Sequence, residues 1–258
     1  MGNLKVTLIQ SQLHWENPAA NRANFSEKIK AISEKTDLIV LPEMFTTGFT
    51  MHASKLSEEN DGESVKWMIS EATKNNTAIT GSLICKEQGN YFNRLYFVFP
   101  NGTYKTYDKR HTFTLAGEDQ TYTAGQKSVL IEYKNWQIFP LICYDLRFPV
   151  WARNTHNYDL LLYVANWPKK RITAWDALLK ARAIENMSYC IGVNRVGLDG
   201  NGHEYVGHSG VYDVLGNQIS TKDFEKEFTQ TIVLDKEQLE THRKHLQFLN
   251  DRDAFSLM

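Results

Sequence analysis

Hydrophobic positions fall into short blocks, and the period inside each block alternates between two and roughly 3.6 residues along the chain. Residues 4–13 are rich in leucine and β-branched side chains and read as a first strand. Asn17-Pro18 then opens a helix in which Phe25, Ile29 and Ile32 share one face. DLIVL, residues 37–41, is a continuous apolar run, the pattern of a strand covered on both sides. Val65, Met68, Ile69 and Ala72 stand at helical spacing in a second helix, and residues 77–84 are strand-like again. The middle of the chain turns to hairpins: residues 95–99 and 103–107 flank Pro100-Asn101-Gly102, and residues 129–133 and 136–142 flank Lys134-Asn135. A short helix near Trp151, a strand over 160–165, a helix over 175–186 and strands over 189–193 and 210–215 follow. From Lys236 the chain is charged and at first helical. Helices near both ends with hairpins between them predict an α/β fold of sheets covered by helices. With no linker, repeat or low-complexity stretch, residues 1–258 are expected to form a single domain.

Composition narrows the classes of function. Of the 258 residues, 42% are hydrophobic and 23% charged, which is ordinary for a soluble globular protein. A formal net charge of −1 supplies no overall field to draw the chain onto phosphate backbones, so nucleic acid is not the expected partner. No run of about 18 apolar residues exists to span a membrane. The first ten residues are too interrupted for a signal peptide. Cys85, Cys143 and Cys190 are far apart and odd in number, which points to reduced thiols and a cytoplasmic protein.

Three polar residues leave apolar strands at positions that invite chemistry. Glu43 follows DLIVLP, Lys109 follows the strand of residues 103–107, and Cys143 closes WQIFPLIC. Strand ends are where α/β folds hold reactive groups on rigid sheet while the adjoining loops stay open. Taken singly, each fits a plainer role: a cap or salt-bridge carboxylate, a solvated charge beside Asp108 and Arg110, a buried core thiol. Their combination is less easily accidental.

The blocks LPEMFTTGF, YDKRHTF and LICYDLRFPVWARN resemble the nitrilase superfamily of carbon–nitrogen hydrolases, over nearly the whole chain. VANWPKKRITAWDALLKARAIEN and NRVGLDGNG are similar to its bacterial ω-amidase branch, which hydrolyses amides of dicarboxylates such as 2-oxoglutaramate and 2-oxosuccinamate. The resemblance implies an α-β-β-α sandwich that pairs into a homodimer or a higher even homo-oligomer, the stretch from about 236 contributing to the contact. It implies Cys143 as nucleophile, Glu43 as general base and Lys109 as cationic stabiliser. The family's second glutamate aligns with Glu118 in LAGEDQTYTAG, whose surroundings differ from the family's usual DEH.

A thiol is a weak nucleophile at its ordinary pKa, so the site is expected to favour the thiolate, with Glu43 taking the proton. Lys109 and the backbone N–H of Tyr144 are the expected donors to the tetrahedral oxyanion. A substrate carboxylate calls for a guanidinium at the other end of the pocket: Arg171 first, or Arg147, which alternatively braces Asp145 or Glu185. Phe45, Phe113, Tyr144 and Trp167 are the candidates for an apolar wall. No cofactor and no metal are expected. His242 and His245, one helical turn apart, lack further ligands, and Gly197, Gly200 and Gly202 fit a β-turn better than a phosphate loop. Alternatives within the superfamily are a nitrilase or an N-carbamoyl amino acid hydrolase. Outside it stand a non-catalytic binding protein or a redox sensor using Cys143.

Overall fold

The first strand, β1 (Leu4–Gln10), shows why the two-residue period holds: Leu4, Val6 and Leu8 enter one core and Ile9 enters another on the opposite face. The computed structural model describes residues 2–222 and 224–256. After β1 come α1 (Pro18–Lys30), β2 (Leu38–Val40), α2 (Ala53–Leu56), α3 (Glu63–Asn75), β3 (Ala78–Glu87), β4 (Asn90–Val98) and β5 (Tyr104–Asp108). The single turn α4 (Glu118–Thr121) leads to β6 (Ile131–Tyr133), β7 (Trp136–Ile142), α5 (Pro149–Ala152), β8 (Leu160–Val164) and α6 (Ile172–Asn186). The chain closes with β9 (Tyr189–Val193), β10 (Val196–Leu198), β11 (Glu204–Val206), β12 (Gly210–Tyr212), β13 (Phe228–Leu234) and α7 (Lys236–Leu246).

The strands form two large sheets, in the orders β13-β1-β2-β3-β4-β5 and β12-β9-β8-β7-β6, with β10-β11 as a separate hairpin. β1, β2 and β3 run parallel, as do β7, β8 and β9; hairpins supply the antiparallel strands at one edge of each sheet, and β13 and β12 pair antiparallel at the other. The sheets face each other, β1 lying against β9 and β4 against β7. Outside the first sheet, Phe25, Ile29, Val65 and Met68 of α1 and α3 pack on Ile9, Ile39, Ile79 and Tyr96. Outside the second, α6 comes so close to β9 that a Cβ on Gly192 would fall 2.6 Å from the Trp175 ring. The result is the helix–sheet–sheet–helix sandwich that the sequence implies.

Asn17 starts α1 as predicted, its Oδ1 accepting from the Ala20 N–H at 3.1 Å. The Lys134-Asn135 turn has both residues at positive φ, 49° and 63°, the pairing a two-residue hairpin requires. Two features were not legible beforehand. β13 carries Thr229, Gln230 and Thr231 in its first half and exposes Val233, so its apolar period is masked, as suits an edge strand. The β10-β11 hairpin has strands of only three residues, too short to show a period. Trp151 is half-buried, its Nε1 donating to Tyr107 Oη at 3.0 Å. Phe248 and Phe255 are exposed.

Candidate active site

Four residues beyond β2 the chain turns sharply at Met44, φ 41°, pinned by its N–H to Ser82 Oγ at 2.8 Å. This leaves Glu43 fully buried with polar groups around its carboxylate. Oε1 accepts from Lys109 Nζ at 2.9 Å and from Asn93 Nδ2 at 2.8 Å, and Oε2 accepts from the Asn166 N–H at 2.8 Å.

Lys109 leaves β5 with its backbone fixed on both sides: its N–H donates to Asn93 O at 3.0 Å, and its carbonyl accepts from Gly125 N at 2.8 Å. Only glycine fits at that second contact, because a Cβ there would fall 2.1 Å from Asp108 O. The buried Lys109 ammonium also donates to both oxygens of Glu118, at 3.0 and 2.9 Å. Glu118, in the first turn of α4, accepts further from Asn93 Nδ2 at 3.2 Å and Phe113 N at 2.5 Å. One cation thus lies between two buried carboxylates.

Cys143 directly follows β7 and begins a 3₁₀ turn, Cys143–Arg147, with its own backbone left-handed at φ 45°. A residue with a side chain held there costs of order 1–3 kcal/mol, and such strain gathers at functional sites. The turn places the sulfur 3.9 Å from the Asn166 carbonyl, close enough to Glu43 to feel its charge. Tyr144 is the second residue of the turn, a position whose N–H has no acceptor inside the turn itself.

Electrostatics assign protonation states. Burial alone would push the Lys109 ammonium down, but the Glu118 and Glu43 charges outweigh it and hold it above the usual lysine range. Burial pushes the Glu118 carboxyl up, and the charge of Glu43 adds to this against the opposing pull of Lys109. Burial and then the Glu43 charge push the Cys143 thiol well above its ordinary value, and Lys109 does not compensate. These influences favour the thiol over a standing thiolate, beside a carboxylate placed to take its proton.

Lys109 and Cys143 open onto a cavity of about 570 Å³, lined by Phe113, Tyr144, Trp167, Arg147 and Arg171 among the expected residues. The Arg171 guanidinium sits 4.8 Å over the Phe113 ring, and that of Arg147 4.8 Å over the Trp167 ring. Both are partly exposed, and neither joins an ion pair among the described residues. Arg147 braces neither Asp145 nor Glu185. Asp145 is held by Tyr107, His111 and Ile142, and Glu185 pairs with Arg182 at 2.7 Å.

Phe45 requires a correction. It is fully buried on the helix side of the first sheet, 5.5 Å from Phe25 and 5.6 Å from Trp67, and is no part of the cavity. The missing Cβ of Gly81 makes its room, since one there would fall 2.9 Å from the Phe45 ring. Phe49 and Met51 from the same loop line the cavity instead. Two polar residues went unnoticed in the sequence. Asn166 directly follows the apolar run LLLYVA and obeys the strand-end rule that singled out Glu43 and Cys143. Asn93 stands inside β4, which also carries Asn90 and Arg94, so an amide there was a weaker signal.

A carbon–nitrogen hydrolase family model matches residues 5–244. The chain is 45% identical to Omega-amidase YafV of Escherichia coli (strain K12), across all of both proteins. It is 30% identical to 2-oxoglutaramate amidase of Bacillus subtilis (strain 168), over 83% of this chain and 85% of that protein. Among solved structures, XC1258 from Xanthomonas campestris, a CN-hydrolase superfamily protein with an arsenic adduct in its active site, superposes with a TM-score of 0.97. It is 39% identical over all of both chains.

Proposed function

The chain belongs to the carbon–nitrogen hydrolase family, and from that membership we propose that it is an ω-amidase, releasing ammonia from 2-oxoglutaramate-like monoamides of dicarboxylic acids. One observation carries this reading: the Cys143 thiol near Glu43, with Lys109 held by two carboxylates, opens onto a cavity that also presents two guanidinium groups joining no ion pair among the described residues. Full-length likeness to an ω-amidase supports the substrate class.

Cys143 Sγ attacks the amide carbon as its proton passes to Glu43 Oε, so the thiolate forms only as the S–C bond forms. The carbonyl oxygen becomes an oxyanion, met by the Lys109 charge and the Tyr144 N–H. Lys109 keeps its proton throughout, because the two carboxylates bind its charged form. Glu43 then returns the proton to the departing nitrogen, the C–N bond breaks, and ammonia leaves a thioester on Cys143. Water attacks the thioester as Glu43 takes a proton from it. The C–S bond breaks, and the proton returns to sulfur. Glu118 holds Lys109 in place, and Arg171 receives the free carboxylate with two parallel hydrogen bonds.

A coupled ammonia-release assay over 2-oxoglutaramate, glutamine, N-carbamoyl amino acids and simple nitriles tests the assignment. The highest kcat/KM is expected on 2-oxoglutaramate; preference for a nitrile or a carbamoyl compound would replace it. We place the protein in a reducing compartment, since all three cysteines are free and buried. The exposed Phe248 and Phe255 support a homodimer, and light scattering giving only the 29.8 kDa chain mass would refute it.

A further inference from the structure

Cys143 and Lys109 come from different sheets, and one carboxylate that belongs to neither residue ties their backbones together. Asp145, fully buried, uses both oxygens. Oδ2 accepts from the Ile142 N–H at 3.0 Å and from Tyr107 Oη at 2.8 Å. Oδ1 accepts from the His111 N–H at 2.9 Å and faces His111 Nδ1 at 2.7 Å. Ile142 and Asp145 bracket Cys143 in the chain, and Tyr107 and His111 bracket Lys109. The His111 ring is held in turn by stacking on Phe148, 3.7 Å between centroids and 5° between planes.

We infer that Asp145 is the positioning residue of the active site, fixing the sulfur of Cys143 against Lys109 and Glu43 by strapping the left-handed turn of one sheet to the strand exit of the other. A left-handed cysteine relaxes toward ordinary backbone unless its neighbours prevent it, and the Ile142 N–H bond closes the turn on one side. The Tyr107 and His111 bonds then set where that turn stands relative to Lys109. Three donors, two on one oxygen and one on the other, converge on this group together with the His111 ring nitrogen, so it must accept on both oxygens. An amide of the same shape accepts on one oxygen only and points two hydrogens at donors on the other side.

This inference rests on Cys143 being the nucleophile and Lys109 its cation, but not on the identity of the substrate. The test is Asp145→Asn, assayed for kcat, KM, melting temperature and the rate at which iodoacetamide alkylates Cys143, followed by mass spectrometry. A misplaced nucleophile loses about a hundredfold in kcat, with KM unchanged and Cys143 alkylation slowed alongside. Tyr107→Phe and His111→Gln keep the carboxylate and each disturb one tie, so roughly fivefold losses in kcat and in alkylation are expected of them. A lowered melting temperature with wild-type kcat and alkylation would make Asp145 a fold stabiliser and overturn the inference, as would a loss confined to KM. If Asp145→Asn does not fold, the two milder variants decide: wild-type alkylation and kcat in both overturns it. An active Cys143→Ala would instead remove the nucleophile assignment on which this stands, so the two failures are distinguishable.

Discussion

Replacing Lys109 by Met is expected to show first as a pH-dependent loss of stability. Glu43 and Glu118 are both fully buried, and Lys109 is the cation they share, with three nitrogen–oxygen contacts of 2.9–3.0 Å. Methionine fills much the same volume without charge. Glu43 would keep Asn93 and Asn166, and Glu118 would keep Asn93 and the Phe113 N–H, but their negative charges would face each other uncompensated. Removing one partner of a buried ion pair costs about 3–5 kcal/mol. At about 2–4 °C per kcal/mol for a chain of this size, the melting temperature falls by about 6–20 °C.

Glu118 decides the pH dependence. Burial and Glu43 already raise its pKa, and Lys109 is the main influence opposing them, so the variant raises it further. A group whose folded pKa lies above its unfolded value contributes stability that is present below the unfolded pKa and lost as pH rises through the folded one. The deficit of Lys109→Met is therefore small in acid and grows as pH climbs above the ordinary value of 4.5. Thermal unfolding followed by circular dichroism at about pH 5 and about pH 8 measures it. Adding Glu118→Gln removes one stranded charge, so the double variant should be more stable than Lys109→Met alone. A melting temperature unchanged at the higher pH, or a double variant less stable than the single, would refute this account of the site.

Three further outcomes follow from the same geometry. Cys143→Ala should abolish ammonia release while Cys85→Ala and Cys190→Ala retain most of it, since neither of those thiols lines the cavity; full activity in Cys143→Ala would end the proposal. The thiolate absorbance of wild-type protein, with Cys143→Ala subtracted, should show no step below pH 9, because burial and Glu43 hold the thiol above that ordinary value; a step in the neutral range would mean a standing thiolate. Arg171→Met should lower kcat/KM on 2-oxoglutaramate by about thirtyfold or more, as when one partner of a buried charge pair is truncated. It should hardly affect an esterified analogue, and equal losses on both would pass the carboxylate contact to Arg147.

The apolar runs at residues 37–41, 136–142 and 160–165 made three strands visible in the sequence, because a strand buried on both faces has no need to alternate. Of the polar residues just past these runs, Glu43 and Cys143 stood out and Asn166, which obeys the same rule, was overlooked; all three meet at the site. Phe45 failed for a geometric reason. Its loop reverses twice, at Met44 and at Gly48 (φ 75°), so counting residues past the strand cannot say which way a side chain points. Asn93 and Asp145 act through partners distant in sequence, Glu43 and Tyr107, and no local period encodes such pairs. The upward push on the Cys143 thiol was not legible because burial, which no motif displays, is its largest cause.

Glu43, Lys109 and Glu118 hang from one sheet, or from the loops leaving it, while Cys143 and Asn166 hang from the other, so the reacting groups straddle the seam between two slabs. Neither slab alone holds a complete set, and the distance from sulfur to carboxylate is also a measure of how the slabs register. Catalytic competence therefore depends on the grip of Leu4, Val6, Leu38 and Val40 on the facing layer, far from any substrate. Gentle denaturant or pressure that lets the slabs slip by a fraction of an ångström would silence the chemistry while every strand is still paired. Inactivation would then run ahead of unfolding, and the rate of turnover would serve as a gauge of interlayer alignment.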